Sequence, residues 1–193
     1  MGAVALGLAG GLLVWATPAA AGWQFVPAGS EVMVGRLRIT AGSDWNAMGG
    51  QEPGTLAWTH DGIELNLLEV DAVRAGQPLY RERRHRQRRP APPVPAGLVL
   101  ADLADLFESS VRAEAGAAAF VIDRASPARL GDRPAIELSY RFSLPDDPLE
   151  RRGLARLAVV DGVAYAIIFS APAIHYFDAG VGEVRAMMDR ARF

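Results

Sequence analysis

From Arg133 to Leu144 apolar and polar side chains alternate. Ile136, Leu138, Tyr140, Phe142 and Leu144 fall on one side, and Glu137, Ser139, Arg141 and Ser143 on the other. Successive residues of a strand point to opposite faces, so this run specifies a β-strand with one apolar face. Such a strand needs partners and a covering layer. The following residues supply a partner, because Leu154 to Val160 and Val163 to Ser170 flank Asp161-Gly162. Asp-Gly suits a type I′ turn, whose two central residues take positive φ, so the pair reads as a hairpin. Its second arm is nearly all apolar, which predicts a central strand covered on both faces.

The other elements follow from the same rules. Val32 to Thr40 reads as one strand, with Met33, Leu37 and Ile39 on one face and Arg36 and Arg38 on the other. Ser43 to Gly54 is glycine-rich and reads as loop. Thr55 to His60 and Ile63 to Val70 read as a hairpin around Asp61-Gly62, again with type I′ chemistry. Ala118 to Ala125 reads as a short strand, Gly131-Asp132 as a turn, and Pro145-Asp146-Asp147-Pro148 as a break. Two segments carry a helical period instead. Val99, Leu103, Leu106 and Val111 stripe a helix that Gly116 ends. Phe177, Val181, Val184 and Met188 stripe a C-terminal helix, with Asp178, Glu183 and Arg185 facing water. Hairpins, one helix between strands and one at the end define an α+β chain, an antiparallel sheet covered by helices as an α/β/α sandwich. Residues 22–193 form a single domain, interrupted by an Arg/Pro-rich loop at 76–97.

The order of motifs in the second half has a familiar form. Leu130-Gly131-Asp132-Arg133-Pro134-Ala135 leads into the long alternating strand. Asp161-Gly162-Val163-Ala164-Tyr165, Phe169-Ser170-Ala171-Pro172, Phe177 and a helix running to Phe193 follow. This order resembles the PsbP-like family over about residues 98–193, and more loosely over the first strands. The resemblance implies the sandwich fold and a binding or accessory role, as in small exported bacterial proteins that look similar. It brings no catalytic residue. The arginine-rich loop departs from the pattern, so it brings no partner either.

Residues Gly2 to Ala16 are apolar or glycine, Thr17-Pro18 breaks a helix, and Ala19-Ala20-Ala21 supplies small residues. That is the pattern of a signal peptide over 1–21, cleaved after Ala21, and it predicts a periplasmic or secreted protein. The segment lacks Arg and Lys at its start, and its apolar run approaches a bilayer-spanning length. The alternative is therefore an uncleaved anchor with the domain facing the periplasm.

Composition excludes several chemistries. The chain has no cysteine, which removes disulfides, thiolate metal sites and cysteine nucleophiles. All 20 basic residues are arginine. Schiff-base lysines and the P-loop lysine are excluded with them. His60, His85 and His175 match no zinc spacing, and no Ser sits in G-x-S-x-G. Gly180-Val181-Gly182 falls inside a helical pattern and lacks the third glycine of a dinucleotide loop. No cofactor is expected, and the enzyme question leans toward no.

Two features remain as candidate sites. Arg81, Arg83, Arg84, Arg86, Arg88 and Arg89 lie within nine residues and before a proline cluster, leaving 14 arginines against 21 acidic residues elsewhere. Guanidinium groups grip phosphate and carboxylate bidentately. The segment is therefore an anion-binding candidate for an anionic envelope component or an acidic protein, with nucleic acid not expected in that compartment. The second candidate is a polar–aromatic pocket of Asp44, Trp45, Trp58, His60, His175 and Tyr176, which would serve a hydrolase-like enzyme of small molecules.

Overall fold

The computed structural model describes residues 22–81, 89–117, 119–145 and 147–193. The expected leader and residues 82–88 lie outside them. The described residues form ten strands and two α-helices. They are β1 Trp23–Val26, β2 Glu31–Val34, β3 Leu37–Thr40, β4 Trp45–Met48, β5 Thr55–Thr59, β6 Leu67–Arg74, α1 Leu103–Glu114, β7 Ala119–Leu130, β8 Arg133–Leu144, β9 Asp147–Val160, β10 Val163–Pro172 and α2 Tyr176–Arg190. Eight strands make one antiparallel sheet in the order β1-β4-β5-β6-β10-β9-β8-β7, and β2 and β3 pair separately.

The most regular pattern in the sequence gives the element expected of it, since β8 spans Arg133 to Leu144. Asp161 and Gly162 both take positive φ, 50° and 74°, as a type I′ hairpin requires. Strand β10 is central and buried along nearly its whole length. Its side chains divide between two clusters. Ala164, Ala166 and Ile168 join Leu103, Phe107 and Val111 of α1. Tyr165, Ile167 and Phe169 join Phe177, Val184, Met187 and Met188 of α2. Alternate residues of a strand face opposite ways, so β10 serves both clusters at once. Each large side chain buried in this way contributes roughly 1.5–3 kcal/mol.

Several elements differ from expectation, each for a local reason. Val32 to Thr40 is a tight hairpin and not one strand, because Gly35 takes φ 58° and reverses the chain between Val34 and Leu37. Leu37 and Ile39 are buried as expected, whereas Met33, on the other arm, is exposed. The segment read as loop after Ser43 contains β4, which joins β1 to β5. The turn after β5 is longer than a type I′ hairpin and runs from His60 to Asn66. Asn66 organises it: its Oδ1 accepts from Thr59 Oγ1 at 2.8 Å and from the His60 amide at 2.7 Å, and its Nδ2 donates to Asp61 Oδ2 at 2.7 Å. Strands β7 and β9 are longer than their apolar stretches suggested. Pro127 fits in β7 because β7 is an edge strand.

Candidate functional site

Part of the polar–aromatic set converges. Trp45 and Trp58 lie on neighbouring strands with ring centroids 6.2 Å apart, and the His60 ring stacks on Trp45 at 3.7 Å. A residue of α2 completes the cluster. Glu183 Oε1 accepts from Trp45 Nε1 at 3.1 Å and from Ser43 Oγ at 2.8 Å, and Glu183 Oε2 lies 3.5 Å from His60 Nε2. Gly42 permits this approach, since a Cβ there would lie 2.8 Å from Glu183 Oε1. Asp44 is engaged elsewhere, accepting from the Ala28 amide at 2.9 Å. His175 precedes α2, and its ring meets Tyr176 edge-on at 5.4 Å. Tyr176 packs against the α2 cluster.

The order of bonds decides what this cluster can do. In a nucleophile–base–carboxylate chain the histidine accepts the hydroxyl proton and the carboxylate orients the histidine. Here Ser43 donates directly to Glu183. Glu183 thereby ties α2 to β4 and to the turn after β5, which is a packing role for a charged side chain.

The arginine-rich segment is anchored at both feet. Arg81 Nη1 donates to Glu52 Oε2 at 2.7 Å. The Arg89 amide donates to the Ala113 carbonyl at 3.1 Å, and the Ala91 amide to Glu114 Oε1 at 3.2 Å. Outside the feet, Gly76 and Val94 join by a 2.9 Å backbone bond, and Leu79, Tyr80 and Val94 are buried with α1. Arg83, Arg84, Arg86 and Arg88 lie outside the described residues. Glu52 belongs to the β4–β5 loop, and that loop starts where Trp23 pairs with Met48 and the Gly49 amide bonds the Gly22 carbonyl at 2.8 Å. Gly22, Glu52 and Arg81 therefore share one end of the sheet. Trp23 and Phe25 on edge strand β1 are 54% and 66% exposed. A cleft of about 500 Å³ opens at the same end, lined by Arg36, Arg74, Gln77 and Tyr165 among others.

No protein-family model and no curated sequence matches the chain. Among solved structures it is similar to cyanobacterial PsbP (CyanoP) from Synechocystis sp. PCC 6803, with a TM-score of 0.53 and 17% identity over 97% of this chain and 98% of that one. The chain has a PsbP-like fold. A more distant similarity is to LpqN of Mycobacterium tuberculosis, involved in cell envelope biogenesis, with a TM-score of 0.38 and 12% identity over 88% of this chain and 90% of that one.

On this PsbP-like frame, two features escaped sequence reasoning. Glu183 sits among water-facing residues of its helix, and only the approach of β4 makes it a hub. The other is a polar face on β7, which depends on a change of register inside the strand. Among the described residues, no group of His, Asp and Glu is placed to hold a metal ion.

Proposed function

We propose that this PsbP-like chain is an exported, non-enzymatic accessory domain, an α/β/α sandwich that docks on an anionic bilayer surface through Arg81 to Arg89. The observation that carries this reading is the shared position of Gly22, Trp23 and Arg81 at one end of the sheet. A leader kept as an anchor would enter the domain at that end, and cleavage after Ala21 would leave the new N-terminus there. Exposed Trp23 and Phe25 suit the lipid headgroup region, where amphipathic and aromatic rings partition. The arginines add roughly 1 kcal/mol each when close to an anionic leaflet. The two-cluster core supports the sandwich, because α1 and α2 residues meet alternate residues of the same strand.

The test compares the purified domain beginning at Gly22 with a variant in which all six arginines of 81–89 are glutamine. Co-sedimentation with phosphatidylglycerol-containing vesicles at low salt is expected to fall in the variant, and wild-type binding to fall as salt screens the charges. Equal retention of both proteins removes the segment from the account. Stronger capture by an acidic protein than by vesicles replaces the bilayer with a protein partner. N-terminal sequencing of the protein from its envelope separates the cleaved form from the anchored one.

A further inference from the structure

The face of β7 and β8 that turns toward α2 is polar where the helix does not cover it. On β8 this face carries Glu137 and Ser139, because Leu138 and Tyr140 point to the α1 cluster. On β7 it carries Arg124 and Ser126, and a β-bulge is the cause. Phe120 and Ile122 pair with Phe142 and Tyr140 on the α1 side. The register then shifts, so that Arg124 pairs with Ser139 and Ser126 with Glu137. Strict alternation from Ile122 would send Arg124 to the opposite face, and the extra residue, Asp123, re-aims it. Asp123 is itself held, accepting from Arg141 Nε at 2.9 Å, and this bond raises the Arg141 pKa further above its ordinary value.

Two adjoining clefts of about 440 and 210 Å³ open over this patch and share Ser126, Glu137 and Arg185. Arg156, only 5% exposed, forms the floor. Its Nε and Nη2 donate to Glu137 Oε2 at 3.1 and 2.5 Å, and its Nη1 donates to Asp189 Oδ1 at 2.6 Å. Arg185 Nη2 lies 3.1 Å from Glu137 Oε1. Both carboxylates of the cleft are thus already matched by cations. Arg124 has no acidic partner among the described residues. The Arg124 guanidinium, two serine hydroxyls and the Arg185 guanidinium line one cleft, which makes it a donor-rich, cationic pocket. We infer that this cleft binds a compact oxyanion, a phosphate or a carboxylate, held by Arg124 and Arg185 and hydrogen-bonded by Ser126 and Ser139. Arginine supplies a planar donor fork and each serine one O–H donor, which matches the acceptor-only chemistry of such an anion.

The test is calorimetric titration of the purified protein with inorganic phosphate and, separately, with glucuronate, at low ionic strength. Saturable binding is expected for at least one of them. Arg124→Gln should weaken it by about tenfold or more, the loss associated with one charge-assisted hydrogen bond. Ser126→Ala with Ser139→Ala should weaken it severalfold. Arg74→Gln, in the separate cleft at the end of β6, should leave it unchanged. Unfolding midpoints of the variants confirm that each is folded. Binding of phosphate alone assigns a phosphoryl ligand, binding of glucuronate alone a carboxylate, and either result or both sustain the site. No saturable binding of either anion overturns it. Equal weakening by Arg74→Gln and Arg124→Gln also overturns it, because general charge would then explain the effect.

Discussion

Helix α2 contains two glycines that look alike in the sequence and should respond to alanine with opposite signs. Gly180 faces the sheet: a Cβ there would lie 2.7 Å from Phe169 Cζ. Phe169 is fully buried and stacks on Phe177 at 5.9 Å, so the ring has little room to withdraw. Ordinary contact begins near 3.4 Å, so α2 or the ring must move by about 0.7 Å. A gap of that size forfeits roughly a quarter to a half of the dispersion attraction of the contacts it opens, and overpacking generally costs about 1–3 kcal/mol. Alanine is favoured over glycine in a helix by about 1 kcal/mol, which offsets part of this. At 2.7 Å from a buried ring the cost falls in the upper part of that range, about 2–3 kcal/mol, so Gly180→Ala should destabilise by about 1–2 kcal/mol net. Gly182 has nothing within 4 Å of its Cβ position, so Gly182→Ala keeps only the propensity gain and should stabilise by up to about 1 kcal/mol. Urea unfolding of the three proteins at constant m-value measures the difference. Thermal midpoints should separate by roughly 2–4 °C per kcal/mol in a domain of this size. If Gly180→Ala matches or exceeds wild-type stability, α2 does not lie against β10 at this distance and the argument fails.

Three further outcomes follow from the packing. Gly153→Ala should cost about 2–3 kcal/mol by urea unfolding, because its Cβ would enter the Tyr140 ring, itself boxed by Phe107 at 5.1 Å and Phe120 at 5.2 Å. Adding Tyr140→Leu should recover part of that loss, and strict additivity of the two changes would refute the clash. Arg156→Met should cost about 3 kcal/mol by leaving Glu137 without its main partner, and Glu137→Leu added to it should restore part of the stability; an unchanged unfolding midpoint in Arg156→Met would show that the floor of the cleft is not held this way. His175 sits at φ 68° and ψ −60°, the strained centre of a three-residue turn closed by the 2.8 Å bond from the Tyr176 amide to the Ile174 carbonyl. His175→Gly should raise stability by about 1 kcal/mol, and a lowered thermal midpoint would show that the side chain contributes more than the backbone loses.

How much was legible in the sequence depended on how local the cause was. Strand β8, the Asp161-Gly162 turn and both helices follow from period and turn chemistry within a few residues, and they formed as expected, except that Val99, read into the first helix's stripe, precedes α1 and is exposed. The Val34–Leu37 reversal was hidden because Leu37 and Ile39 continue an alternation that Gly35 interrupts. Strand β4 was hidden because four residues between glycine-rich stretches carry too short a pattern, and its partners β1 and β5 define it. The candidate sites depend on still more distant causes. Trp45, Trp58 and His60 meet through strand pairing, but Glu183, the residue that connects them, comes from a helix more than a hundred residues away. The direction of Arg124 depends on one unpaired residue, and alternation alone would place it on the wrong face.

The position of the core also constrains where a ligand can bind. Strand β10 gives both its faces to apolar clusters, and β6 and β9 beside it are largely buried as well. A polar ligand reaching the centre of this sheet would have to displace packed side chains at roughly 1.5–3 kcal/mol each. Both proposed binding sites accordingly lie at the margins, one at the end of the sheet at Arg81 and one on the edge strand β7 with its bulge. The His60–Glu183 cluster fits the same logic from the other side. It lies against two buried tryptophans under α2, and its hydrogen bonds are spent on holding that helix in place.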